Sequence, residues 1–259
     1  MNGKDSSKAE DATQEANGKA KPGPEVSLPK RFYTEITTKD EDGGVALLLD
    51  GKTVRSPRQA QLLLPTQDLA EAIAQEWRAQ GVRIEPSTMP LTRLANSAID
   101  GVSGQEQAVI DDILGFAGAD LLCYRAEGPD GLVALQAKHW DKVLGWARER
   151  LDAPLVQTQG VAHIAQPQNS LDRIGERLGA FDAFGLAALH VMTALTGSAV
   201  LALAVALGRL TPEEAWALAH VDEDWQISHW GEDAEAAARR EQRRQEFEAA
   251  CRMLQLLGG

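Results

Sequence analysis

The chain has 259 residues, 26 Lys and Arg against 38 Asp and Glu, a formal net charge of −12 and a pI near 4.9. Binding to nucleic acid or to an anionic lipid surface rests on neutralising phosphate, so a net anion argues against both. With 44 % apolar and 25 % charged residues, the composition is that of a globular protein of one or two domains, able to bury a core without staples.

Residues 1–25 lack the apolar run of a secretory signal and mix four Lys with five acids, unlike an Arg-rich, acid-poor presequence. They predict a disordered polar tail, and the chain reads as a mature cytoplasmic protein of a bacterium. Order begins near Pro29. Arg31–Thr38 is β-branched and aromatic and predicts a strand, followed by a polar turn over 39–44. Val45–Leu49 predicts a second strand, Asp50-Gly51 a tight hairpin, Lys52–Arg55 its partner strand and Gln61–Leu64 one more. Thr66 is placed to cap a helix over Asp68–Gln80, with Leu69, Ile73, Glu76 and Trp77 near one row.

Pro86 and Pro90 interrupt, and from Leu91 onward the pattern is helical. Ser103 or Gly104 opens a helix through Phe116, Gly131–Leu151 forms another, 154–168 is a connection rich in Gln and Pro, and Ser170 opens the next helix. Leu186–Gly208 holds no charged residue and is long enough to span a bilayer. Its Thr196-Gly197-Ser198 cluster predicts a stop and a new cap instead, so it is expected as a buried pair of short helices without membrane insertion. Thr211-Pro212-Glu213-Glu214 starts a helix with a cap, Pro at the first position and acids at the positive end of the dipole. Glu232–Leu257 is a long terminal helix. The fold expected is α+β: a small β-rich N-terminal domain with one helix over 26–90, then a larger all-α helical domain over 91–259. Cys123 and Cys251 are too few for a disulfide scaffold or a zinc site, and are expected as buried free thiols in a reducing compartment.

No phosphate-binding loop, dinucleotide fingerprint, nucleophile elbow or zinc-binding His pair is present. The cluster richest in chemistry runs from Glu213 to Glu235, with eight carboxylates, Trp216, Trp225 and Trp230, and no Lys or Arg. On a helix, Asp222, Gln226 and Trp230 form one row and Glu223, Ile227 and Trp230 a neighbouring one. Such carboxylates could do acid/base work or hold a hard cation. They could equally form a patch in which Trp anchors and acids select a partner, or a solvated acidic helix with Trp in the core.

The string Val221-Asp222-Glu223-Asp224-Trp225-Gln226-Ile227-Ser228-His229-Trp230-Gly231-Glu232 resembles a pattern of aliphatic, acids, aromatic, Gln and Trp-Gly. That pattern marks the F-type ATP synthase assembly chaperones which bind the free α subunit. Lys30–Tyr33, Leu48–Pro57, Ala74–Trp77, Pro90–Asn96 and Asp120–Arg125 are similar to the same family, in order, over about residues 30–230. The resemblance implies a non-enzymatic chaperone with a small α/β unit followed by a helical one. It would hold the unassembled α subunit, keep it from aggregating and deliver it to head assembly, with no cofactor, no metal, no catalytic residue and a monomeric free state. Bacterial members work in the cytoplasm, the counterpart of the mitochondrial matrix. The family's functional acid falls on Asp222 or Glu223, and Trp77 falls on a family position that packing explains as well as contact does. Together, resemblance and chemistry point to Asp222, Glu223, Trp225, Gln226, Trp230 and Glu232 as partner-binding residues. The alternative is a hydrolase or metal-dependent enzyme built on Asp222, Glu223 and Glu232. Residues 26–95 are neutral, whereas 96–259 carry a net charge of −11, so the acidity belongs to the helical part.

Overall fold

The computed structural model describes residues 28–258; the tail expected over 1–25 lies outside them. Strands β1 (Ile36–Glu41) and β2 (Gly44–Leu49) pair antiparallel in register Ile36 with Leu49. β2 also pairs with the short β3 (Lys52–Thr53) and β4 (Leu63–Leu64). The β2–β3 turn is Asp50-Gly51, with both residues at positive φ (49° and 76°), the geometry that matches the twist of the flanking strands. The strand expected over Arg31–Thr38 starts five residues later. The Asp50 carboxylate accepts from the Thr34 and Glu35 amides at 3.0 and 2.8 Å, which removes those donors from any ladder. The turn expected over 39–44 contracts to Asp42-Gly43, because β1 runs on to Glu41.

Helix α1 (Gln67–Arg78) is capped by Thr66, whose hydroxyl oxygen accepts from the Leu69 amide at 3.2 Å and whose proton goes to the Leu256 carbonyl at 2.7 Å. Helix α2 (Pro90–Ser97) has no capping side chain of its own. Glu76 of α1 supplies one from outside, accepting from the Leu91 and Thr92 amides at 2.8 Å each. Burial nevertheless pushes the Glu76 carboxyl above its usual range, against those hydrogen bonds. After a π-turn over Ala98–Val102, α3 (Glu106–Gly118) begins beyond the expected Ser103 or Gly104.

The helical part is not wholly helical. β5 (Tyr124–Arg125) pairs in parallel with β6 (Thr158–Gln159), which lies inside the connection expected to be irregular. Two-residue strands carry no periodic signal, so nothing local announces them. α4 (Asp130–Arg150) precedes that connection. α5 (Gln168–Leu178) opens two residues before the expected Ser170, whose buried hydroxyl donates instead to the Pro154 carbonyl at 2.7 Å.

The uncharged run folds as α6 (Ala183–Thr196) and α7 (Ala199–Ala206), split at Gly197, which takes φ 70°. Ser198 caps α7 by accepting from the Leu201 amide at 3.0 Å. Among the described residues no helix is long and apolar enough to cross a membrane. α8 (Pro212–Ala219), α9 (Val221–Trp230) and α10 (Ala234–Leu256) complete the chain, α8 with the full capping box of Thr211 and Glu214. One hydrophobic cluster runs from Tyr33 to Leu254 through both parts, and Cys123 and Cys251 lie buried in it as free thiols.

Candidate functional site

The acidic Trp-rich segment becomes α8, α9 and the start of α10, and its three indoles meet three fates. Trp216 is buried, stacked on His220 at 4.0 Å between ring centroids and near Phe247 at 5.4 Å. Trp225 is half-buried and lies so tightly over Gly131 of α4 that a Cβ there would collide with the indole. Trp230, the last residue of α9, is 79 % exposed. Only Val221 of α9 is buried, so the helix starts in the body and ends in solvent.

The three consecutive acids are held from inside the chain. Asp222 accepts from Nε2 of Gln136 on α4 at 2.6 Å, and the same buried Gln136 accepts from the Ala126 amide at 2.8 Å. Asp224 pairs with Arg240 of α10 at 2.6 Å. Glu223 lies 3.7 Å from Arg240 and 3.9 Å from His220. His220 bonds the Trp216 carbonyl through Nδ1 at 2.7 Å, and burial, reinforced by Arg240, holds its pKa below the usual imidazole value. The expected row therefore does not act as one face. Asp222 is turned to α4, while Gln226 and Trp230 are exposed. A half-buried carboxylate such as Asp222 costs less when hydrogen-bond donors match its charge, and Gln136 supplies one.

Glu232 is exposed and shares with Asp224, Arg240 and Arg244 the lining of a groove of about 380 Å³ between α8, α9 and α10. Neither Asp222 nor Glu223 lines it. Among the described residues no three His, Cys, Asp or Glu converge on a point that could hold a metal ion. The alternative built on Asp222, Glu223 and Glu232 thus has no shared donor set. Gln136 and Arg240, which fix α9 together with His220, are not among the residues that the sequence singles out. Arg240 left one trace: with Arg239 it is the first cation after the acidic run. Gln136 left none, being one amide in a long helix. Trp77 is half-buried and packs edge-on against Tyr33 at 5.5 Å, and its buried indole nitrogen has no hydrogen-bond partner among the described residues. A larger cleft, of about 810 Å³, lies elsewhere, between α1, α2 and α10, with Glu76, Arg93 and Arg252 on its walls.

A family model described as ATP12 chaperone protein matches residues 30–148. The crystal structure of Atp12 from Paracoccus denitrificans is 41 % identical and superposes with a TM-score of 0.84, over 88 % of this chain and 98 % of that one. The chain belongs to the ATP12 chaperone family. The Atu1473 protein of Agrobacterium tumefaciens is also similar, 49 % identical with a TM-score of 0.86 over 89 % of this chain and 87 % of its own. Protein atp12, mitochondrial, of Schizosaccharomyces pombe is 27 % identical over 227 residues, 82 % of this chain and 78 % of that protein. Membership in the ATP12 family bears out the resemblance to ATP synthase assembly chaperones that the motifs carried. The family model stops at residue 148, ahead of α9.

Proposed function

We propose that this ATP12-family chain holds the unassembled α subunit of the F-type ATP synthase through the outer end of α9, and releases it into head assembly. A subunit built for a large apolar interface exposes an aggregation-prone surface until its neighbour arrives, and a chaperone shields it reversibly. The observation that supports this reading most is Trp230: a large indole, 79 % exposed, at the tip of a helix whose base is fixed by Gln136 and Arg240. A rigidly presented aromatic side chain loses little entropy on docking, which suits it to act as a binding hot spot. Gln226 and Glu232 flank it as exposed polar contacts. Asp222 and Glu223 act in this reading by seating α9, and Trp225 by packing it on α4. In this reading the chain works as a monomeric, non-enzymatic holder.

Co-expression with the α subunit tests this. The wild-type chain should raise the soluble fraction of α subunit and co-purify with it. Trp230→Ala should weaken the complex at least tenfold with an unchanged melting temperature, and Gln226→Ala with Glu232→Ala should add to the loss. A wild-type chain that neither retains nor solubilises the α subunit defeats the proposal. Retention that is indifferent to Trp230→Ala moves the contact away from α9.

A further inference from the structure

A second groove, of about 540 Å³, adjoins the first between α4, α8 and α9 and shares Ala217 and Asp224 with it. Leu135, Val143, Leu210, Leu218 and Val221 supply its apolar surface. His139, Lys142 and Arg209 stand on its walls together with Glu214 and Asp224. The two acids are already engaged. Glu214 accepts from the Thr211 amide at 2.9 Å in the capping box of α8, and Asp224 is paired with Arg240 at 2.6 Å. Lys142 and Arg209 are exposed, and neither forms an ion pair among the described residues. With Asp224 matched by Arg240, Lys142 and Arg209 outnumber Glu214, so the balance of charge in this groove is positive, in the part of the chain that holds nearly all of the net negative charge.

Apolar walls with unpaired cations at the rim fit a partner that is itself apolar and carries carboxylates. A polyphosphate backbone would use the cations but leave the apolar walls unfilled, and the surrounding charge of −12 repels it. We propose that the α4–α8–α9 groove docks an apolar segment of the client polypeptide whose Asp or Glu side chains pair with Lys142 and Arg209. This rests on the α-subunit reading above and adds to it a second contact of opposite polarity. Ala217 and Asp224 then lie between two docking surfaces. The α8–α9–α10 groove is rich in acids (Glu213, Glu232, Glu241), and the α4–α8–α9 groove offers free cations. A client surface of matched alternating charge would be fixed in register by the pair, and wrong partners would meet like charge on one flank or the other.

The test is titration of purified α subunit against the full-length chain carrying Lys142→Glu and Arg209→Glu together, at several salt concentrations. Both side chains are exposed, so the melting temperature should stay at the wild-type value. Affinity should fall at least tenfold, and the salt dependence of the remaining binding should be shallower than that of wild type. The exchange Lys142→Arg with Arg209→Lys should restore binding. A photo-crosslinking residue in place of Leu210 should join the α subunit in the wild-type background. Binding of the double reversal at wild-type strength, while Trp230→Ala still weakens the complex, overturns the groove proposal and leaves the α9 reading intact. Failure of the wild-type chain to bind the α subunit overturns both. Retention of single-stranded RNA by the wild type, lost in the reversal with α-subunit binding unchanged, assigns the cations to a polyanion and overturns the proposal as well.

Discussion

Asp120 and His220 pull stability in opposite directions with pH. Asp120 is fully buried and accepts from the Leu122 amide at 3.1 Å, the Ser198 hydroxyl at 3.0 Å and the Val200 amide at 3.2 Å. Burial outweighs these bonds and pushes its pKa up to about 6. Between the usual carboxylate value of 3.8 and about 6, the folded chain keeps a proton that the unfolded chain has released, so Asp120's contribution to stability falls as pH rises through that window. His220 is depressed below 6.5, so the unfolded chain takes up a proton that the folded chain refuses, and its contribution is lost as pH falls below that value. Asp120→Asn removes the first effect alone. In thermal unfolding at a series of pH values, the variant should gain on wild type as pH rises from about 4 to about 7. A gap that is constant across the series would mean that Asp120 does not titrate there. Arg240 carries a different load, since it serves Asp224 and Glu223 at once. Arg240→Gln should cost about 1 kcal/mol in denaturant unfolding, more than an exposed pair would, because its side chain is largely covered. It should also weaken client binding through a looser α9.

At the scale of elements, α9 is seated by side chains far from it in sequence. Gln136 is the only described donor to the Asp222 side chain, and its own oxygen satisfies the Ala126 amide. Gln136→Leu would leave both without a partner, a loss of about 1–3 kcal/mol. Amide exchange should speed up in α9 and at Ala126 before it does in the strands. Gly131→Ala probes the same seat by bulk. A methyl group there must push the Trp225 indole off α4, which should shift tryptophan emission to longer wavelength and release the outer half of α9. If emission is unchanged, the indole is not held as described. Elements with their own punctuation were legible in the chain: the Asp50-Gly51 hairpin, the Thr66 cap, the Thr211 box and the break at Gly197. Elements whose ends are set by a distant partner were not. α2 borrows its cap from Glu76, β1 starts late because Asp50 binds the preceding amides, and β5 with β6 pairs residues 34 positions apart.

Across the described residues, one hydrophobic cluster joins strands and helices, and the Thr66 hydroxyl bonds the Leu256 carbonyl, linking the start of α1 to the end of α10. Cys123 and Cys251 sample this cluster at two remote points, and burial pushes each thiol up to about 12. Both should be inert to thiol reagents in the native state, because the thiolate is the reactive form. In rising denaturant they should become reactive at one common midpoint. Two separate midpoints would mean that the parts unfold independently. The sequence alone determined the α+β order of elements, the concentration of acid in the helical part, the two buried thiols and the family, because hydrophobic period, turn chemistry and contiguous motifs are written locally. It also singled out α9 as a candidate. The tertiary structure decided how those residues divide. Asp222 and Glu223 turn toward Gln136, His220 and Arg240, Asp224 pairs with Arg240 at the surface, Trp216 and Trp225 pack, and Trp230, Gln226 and Glu232 remain outside. Helical spacing gives neighbours on one helix; which neighbours face a second helix and which face water depends on how α4, α8 and α10 pack around it.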